Sequence, residues 1–346
     1  MSMTEKKNKQ YNVAVVGATG VVGECILEIL AERQFPVDNV YPLASENSAG
    51  GEVVFGKKKL PVGLLSDFDF NQCDLAFFTA GASVSAEYAP RAAACGCVVI
   101  DNTSHFRNDP EVPLIVPEVN PHALEGYERH NIIANPNCST IQMLVALKPI
   151  EQVAGIRRID VASYQSVSGA GKKGIEELAG QTAALLNFRE VRPEHFPVQI
   201  AFNVMPHIDS LQDNGFTREE MKMVWETRKI LERPDIQVNP TCVRVPVFYA
   251  HSEAVHIETN QKITAPEARK LLEKAPGVQL VEDRKRLTYP TPVDATGKDP
   301  VFVGRIRESL GVENGLDLWV VADNIRKGAA LNSVQIAELL VASACK

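Results

Sequence analysis

A glycine-rich turn set between a strand and a helix constrains this chain more than any other feature. Residues 12–16 (NVAVV) are a short apolar run of the buried-strand type, 17–23 read GATGVVG, and 24–32 (ECILEILAE) place Ile26, Leu27, Ile29 and Leu30 at helical spacing. Glycines in such a turn let the chain reverse tightly and let a pyrophosphate approach the backbone at a helix N-terminus. The spacing is GxxGxxG rather than the commoner GxGxxG, so the position in the first strand–helix turn carries the reading more than the pattern does. Further strands are expected at 40–44, 75–79, 98–101, 114–116 and 132–134, with a helix over 85–94. That alternation implies an α/β fold: a Rossmann-type, doubly wound parallel sheet with right-handed crossovers.

Beyond about Cys138 the texture changes to longer alternating strands, at 158–167, 241–249 and 254–258, with helical stretches at 140–147, 174–186 and 217–229. These describe an α+β second domain. A last strand at 318–322 and a helix at 329–344 suggest a return to the first domain. The expected division is 1–137 plus 325–346 for the dinucleotide-binding domain and 138–324 for the catalytic domain.

With 45% hydrophobic and 23% charged residues the chain can fill a large core. A net charge of −7 argues against nucleic acid or an anionic membrane surface as a partner. The polar opening MSMTEKKNKQ precedes no secretory apolar stretch, and no run is long enough to span a bilayer, so a cytoplasmic location is expected. The seven cysteines are odd in number and form no CxxC pair, which reads as reduced thiols, and no spacing of His and Cys fits a zinc site.

One cysteine stands apart. In Asn135-Pro-Asn-Cys138-Ser-Thr, between an expected strand and an apolar helix, Cys138 falls at a helix N-terminus on the carboxyl edge of a parallel sheet. A helix N-terminus favours thiolate, its free N–H groups can hold an oxyanion, and ligands collect at that edge. Cys25, Cys73 and Cys97 read as core filler. A thiolate nucleophile needs a proton-transfer partner, and His251 in Arg244-Val-Pro-Val-Phe-Tyr-Ala-His251-Ser-Glu253 is the histidine that sits beside a strand beginning in arginine. Positions seven apart on a regular strand face opposite sides, so Arg244 and His251 converge only through a bulge or bend. Spacing alone leaves the role of His251 open. At the expected end of the second strand Ser45, Asn47 and Ser48 are small donors suited to a 2′-phosphate, while the adjacent Glu46 suits a 2′-hydroxyl.

GATGVVG at 17–23, DNTSHFR at 101–107, NPNCST at 135–140, YQSVSGAG at 164–171, RVPVFYAHSEA at 244–254 and DNIRKGAA at 323–330 occur in this order. Together they resemble the aspartate-β-semialdehyde dehydrogenase family over nearly the whole chain. The resemblance implies a glyceraldehyde-3-phosphate dehydrogenase-like second domain for catalysis and dimerisation, and NADP(H) as cofactor. It implies Cys138 as nucleophile, His251 as acid/base and Gln165 as the residue orienting substrate at the thiol. Arg244, Glu219 and Asn137 would bind substrate, with Arg244 on the α-carboxylate and Glu219 on the α-amino group, while Arg107 and Lys222 would bind phosphate. Glu219 and Lys222, three apart on a helix, share one face. Gly17, Thr19, Gly20, Val21, Val22, Ser45, Asn47 and Ser48 would hold the cofactor, with Ser168, Gly169 and Asn324 on its nicotinamide side.

The reaction so implied turns L-4-aspartyl phosphate into L-aspartate 4-semialdehyde and phosphate through an acyl-thioester, toward lysine, diaminopimelate, threonine, methionine and isoleucine. The assembly implied is a homodimer, some members pairing further as dimers of dimers. Many relatives carry arginine where this chain has Asn47, which bears on strict NADP preference. Two rival readings are an N-acetyl-γ-glutamyl-phosphate reductase-like or glyceraldehyde-3-phosphate dehydrogenase-like acyl-phosphate reductase, and a non-catalytic nucleotide-binding regulator.

Overall fold

The apolar run at the start becomes β1 (Tyr11–Val16), almost wholly buried, and α1 (Val21–Glu32) lays Ile26, Leu27, Ile29 and Leu30 against the core. Burial on both faces is what a continuous apolar strand requires. The computed structural model describes residues 9–283 and 285–344. The chain divides into two units, Met1–Pro136 with Ala329–Lys346, and Asn137–Gly328.

In the first unit β2 (Val37–Ala44) is followed by the hairpin β3 (Glu52–Phe55) and β4 (Lys58–Pro61), and by the short β5 (Gly63–Leu64). Then come β6 (Leu75–Phe78), α2 (Ala82–Ala94), β7 (Val98–Asp101) and β8 (Ile132–Ala134). The main sheet runs β5-β2-β1-β6-β7-β8 and every pairing in it is parallel. The chain leaves β1 toward β2 and later crosses back to place β6 on the other side. The carboxyl ends of β1 and β6 therefore form the switch point where ligands bind in doubly wound sheets. The strand expected at 114–116 does not form: Leu114 makes only an isolated bridge to Ala134, and Asn120 occupies the neighbouring backbone groups through Val116 N–H and the Leu114 carbonyl.

The second unit opens with α3 (Cys138–Ala154), followed by β9 (Ile156–Gln165), α4 (Gly171–Leu186), α5 (Arg218–Leu231), β10 (Gln237–Arg244) and β11 (His251–Thr259). It continues with α6 (Ala265–Leu272), β12 (Val278–Leu280), α7 (Pro292–Ala295), β13 (Val301–Glu308) and β14 (Gly315–Ala322). A π-helical turn, Arg326–Ala330, leads to α8 (Leu331–Ala344), which belongs to the first unit and packs on α1, where Arg33 grips Glu338 through two bonds of 2.7 and 2.8 Å. The second sheet is mixed, in the order β10-β9-β11-β14-β13-β12, and α3, α5 and α6 cover one face. Along β9 residues Ile159, Val161, Ser163 and Gln165 point to the helices, while Arg158, Asp160, Ala162 and Tyr164 alternate to the other face. α3 is apolar nearly all round, as a helix buried in a core must be.

The strand expected over 241–249 ends instead at Arg244. Residues 245–250 pass across the end of β9, donating Val245 N–H to Gln165 and accepting from Val167 and Ser168 at Val247 and Phe248. The crossing closes with Ala250 at φ +67, its N–H bonded to the Asn324 side chain. β10 and β11 thus flank β9, and the bend that the Arg244–His251 spacing demanded is this crossing.

Candidate active site

Each residue of the proposed catalytic set has a structural reason for its position. Asn137 is the N-cap of α3: its Oδ1 accepts from Ser139 N–H at 3.0 Å, which fixes Cys138 as the first residue of the helix. Its own N–H donates to Glu226 at 2.6 Å and its Nδ2 to Glu219 at 2.8 Å, so the cap is bound to α5. α5 begins with a capping box, in which Thr217 accepts from Glu220 N–H at 3.2 Å and Glu220 returns a bond from Thr217 N–H at 2.7 Å. That box, with a bond from Cys242 N–H to Glu220 at 2.9 Å, occupies Glu220 and leaves Glu219 for the site.

Arg244 pairs in register with Gln165 across β10 and β9, and His251 begins β11 on the opposite flank. Gln165 Nε2 donates to Ser139 Oγ at 3.1 Å and to Glu219 at 3.2 Å, joining the strand to the first turns of α3 and α5. Arg244 donates to the Ser166 carbonyl at 2.7 Å. Gly169 and Gly328 close the arrangement: a Cβ on Gly169 would lie 2.9 Å from Arg244 Nη1 and 3.4 Å from His251 Nε2, and one on Gly328 2.8 Å from Cys138 Cβ. The second unit therefore gathers Cys138, Gln165, Glu219, Arg244 and His251 in one place, with Asn137, Ser168, Gly169 and Asn324 as its supports.

Charge in this cluster is set by burial and partners. Burial works against ionised Glu219, yet Lys222, Asn137 and Arg244 together hold its carboxyl down at about 2. Lys222 lies 3.0 Å from Glu219 and 2.9 Å from Asp209. Burial, and next to it Arg244, push the His251 imidazole down to about 3, against weaker pulls from Glu219 and the Ala250 backbone. Glu253, on the same face of β11 two residues on, is fully buried and neither carboxyl oxygen makes a hydrogen bond. Burial raises it well above the ordinary carboxyl range, and Gln142 nearby offsets this only in part. Of the other thiols, Cys25, Cys73, Cys97 and Cys242 are buried, and burial drives Cys73 up to about 12, whereas Cys138 is half-buried.

The first unit carries most of the residues read as cofactor ligands, while Ser168, Gly169 and Asn324 lie in the second. Gly17 has φ +87, and a Cβ there would fall 2.6 Å from Thr79 Oγ1, so only glycine fits. A Cβ on Gly23 would collide with the Gly17 carbonyl, which explains the third glycine as a close helix–strand contact. α1 starts at Gly20 with no side-chain cap, the arrangement that leaves helix N–H groups to a phosphate. At the end of β2, Ser45 and Asn47 are exposed and Ser48 half-buried in a turn closed by Ser48 and Ala49 N–H to the Ser45 carbonyl. This loop presents two hydroxyls and an amide at the end of the second strand. Arg107, also in the first unit, is buried and donates to the Asn102 carbonyl at 2.9 Å.

Sequence reasoning passed over Ser166, Asp209, Ser139 and Glu253. Ser166 and Glu253 lie inside motifs already noted, whereas Asp209 approaches Lys222 from a loop with no local signal. Asp160, His256 and Glu258 group within 4.8 Å on the outer sheet face, but Arg158 pairs with Asp160 at 2.7 Å, Asp317 with His256 at 3.0 Å and Arg157 with Glu258 at 2.7 Å. No helix among the described residues is long and apolar enough to cross a membrane.

A doubly wound dinucleotide sheet joined to a mixed-sheet unit that presents a cysteine at the first position of a helix defines a two-domain semialdehyde dehydrogenase. Residues 12–127 match the family described as semialdehyde dehydrogenase, NAD binding domain, and residues 147–327 that described as semialdehyde dehydrogenase, dimerisation domain. An aspartate-semialdehyde dehydrogenase of Legionella pneumophila is 58% identical over 334 residues, 96% of each chain. A crystal structure of aspartate semialdehyde dehydrogenase II from Vibrio cholerae, complexed with ASA, superposes with a TM-score of 0.95 at 58% identity, covering 96% of this chain and 98% of that one. A probable aspartate-semialdehyde dehydrogenase of Pseudomonas aeruginosa gives 0.92 at 36% identity, covering 96% and 99%. The chain belongs to the aspartate-semialdehyde dehydrogenase family.

Proposed function

We propose that the protein catalyses the NADPH-dependent reductive dephosphorylation of L-4-aspartyl phosphate to L-aspartate 4-semialdehyde, through an acyl-thioester on Cys138. The observation that carries this reading is the convergence of a cysteine in the first turn of a helix with a buried arginine and an ionised, buried carboxylate. Arg244 and Glu219 offer opposite charges a short distance apart, the complement of an amino acid's own carboxylate and ammonium groups. An N-acetylated substrate has no ammonium to meet Glu219, which sets this site against the N-acetylglutamyl reading.

Cys138 Sγ attacks the acyl carbonyl, N–H groups of the first turn of α3 hold the oxyanion, and phosphate leaves toward Lys222. Gln165, tied to Ser139 and Glu219, orients the acyl group at the sulfur. NADPH, when bound by the 17–23 turn and by Ser45, Asn47 and Ser48, supplies the hydride. His251 manages the proton as the thiohemiacetal collapses to aldehyde and sulfur. The homodimer would form through the outer face of the second sheet, where Tyr164 and Trp319 pack 5.7 Å apart and leave Tyr164 exposed. A dimer of dimers is the alternative assembly, separated by mass in solution. A free-thiol nucleophile suits the reducing cytoplasm, where we place the enzyme.

The test is phosphate-dependent reduction of NADP and of NAD by L-aspartate 4-semialdehyde. Turnover that needs phosphate and disappears in Cys138→Ala supports the proposal. Turnover without phosphate, or activity surviving in Cys138→Ala, overturns it.

A further inference from the structure

His251 is fully buried, and each ring nitrogen has a distinct environment. Nδ1 accepts the main-chain N–H of Ser166 at 3.1 Å and lies 3.0 Å from the Ser166 hydroxyl. A main-chain N–H can only donate, so Nδ1 carries no proton in this arrangement. The Ser166 hydroxyl is itself held by Asn324 Oδ1 at 3.1 Å and Ser168 Oγ at 3.0 Å, and Asn324 also takes the Ala250 N–H at 3.0 Å. The serine is thereby fixed from β9, from the turn before β11 and from the segment after β14. Nε2 has no hydrogen-bond partner, and a Cβ on Gly169 would lie 3.4 Å from it.

We propose that Ser166 is a positioning residue that sets the tautomer of His251: with Nδ1 occupied, the ring meets substrate neutral with its proton on Nε2, and acts first as a donor to the acyl oxygen rather than as the base that ionises Cys138. The charged groups facing the ring agree with a neutral imidazole. Arg244 on β10 opposes a second positive charge, Glu219 on α5 is already engaged by Lys222 and Asn137, and burial works against a charged Glu253 on β11.

The step then balances without a net proton transfer from histidine. The thiolate forms the S–C bond, the carbonyl π pair moves to oxygen, and Nε2–H donates a hydrogen bond to that oxygen. The pair returns, the C–O bond to phosphate breaks with its electrons on phosphate, and His251 is left as it began. Sulfur activation in this scheme belongs to the start of α3 and the Arg244 charge, and is independent of His251.

The proposal rests on the reductase reading only for the identity of the acyl phosphate, and the two readouts that decide it, thiol alkylation and the histidine ring shifts, use no substrate. The full-length protein is alkylated with iodoacetamide across a pH series, and modification of the Cys138 peptide is followed by mass, which separates it from the exposed Cys95. In His251→Asn the midpoint of the Cys138 titration is expected to stay within about half a pH unit of wild type, while kcat falls at least ~100-fold. A rise of about a unit or more in that midpoint would show the imidazole supporting the thiolate and overturn the proposal. A second readout needs no variant to fold well. In wild-type protein labelled with 15N-histidine, the His251 ring is expected to show a protonated Nε2 and a bare Nδ1, and a proton on Nδ1 overturns the role of Ser166. Failure of the reductase reading would show instead as a lack of phosphate-dependent turnover, with both of these signatures unaffected.

Discussion

Replacing Glu253 with glutamine tests whether the interior of the second unit holds a proton that the unfolded chain would release. The side chain keeps its shape and loses only its ability to ionise. In the folded protein the carboxyl is fully buried, neither oxygen is hydrogen-bonded, and burial raises it well above the ordinary range. In the unfolded chain it titrates near ~4.3. Between those values the native state binds one proton more than the unfolded state, so stability falls as pH rises, by about 1.4 kcal/mol per pH unit. Below the unfolded value both states are protonated and the effect vanishes. For each pH unit over which the native carboxyl keeps its proton and the unfolded one does not, wild type should lose about 1.4 kcal/mol relative to Glu253→Gln, which for a unit of this size widens the Tm gap by about 3–6 °C. The glutamine adds donors, and any fixed cost of burying them cancels in the change of the gap with pH. Thermal unfolding of both proteins between pH 4.5 and 8 is the assay. Parallel Tm curves, or a gap that widens toward acid, would refute the claim that Glu253 folds in its protonated form.

Two further outcomes follow from the same geometry. Arg244→Lys should lower kcat/KM for L-aspartate 4-semialdehyde at least ~100-fold, because a planar two-pronged donor is replaced by a point charge; steady-state kinetics with an unchanged value would remove the carboxylate assignment. Asn47→Arg, at the exposed end of β2, should raise discrimination for NADP over NAD about tenfold by adding a guanidinium beside the 2′-position, and an unaltered ratio of kcat/KM values would place the 2′-phosphate elsewhere.

The first unit was the more legible part of the chain because its signals are local. A buried parallel strand needs an unbroken apolar run, and 98–101 and 132–134 emerge with those same bounds as β7 and β8. The segment 114–116 has the same apolar character but lacks a free ladder, since the Asn120 amide takes its backbone groups. The hairpin β3–β4 and the strands β12 and β13 went unread. They are short or carry mixed exposure, and their pairing partners are set by distant chain.

The sequence by itself determined that the chain folds around a glycine-turned parallel sheet, that Cys138 lies at a helix N-terminus, and that Arg244 and His251 require a bend to act together. Each follows from a neighbourhood of a few residues, where backbone sterics and helix-end chemistry have few solutions. Tertiary structure alone decided how those pieces are held. It chose Glu219 over Glu220 by committing the latter to a capping box and to Cys242, and it gave Lys222 a second carboxylate in Asp209. It also set the His251 ring against the Ser166 N–H and left Glu253 buried with only Gln142 to offset the cost. Proton positions and charges of this kind depend on desolvation and on partners brought from remote strands, and no local pattern encodes either.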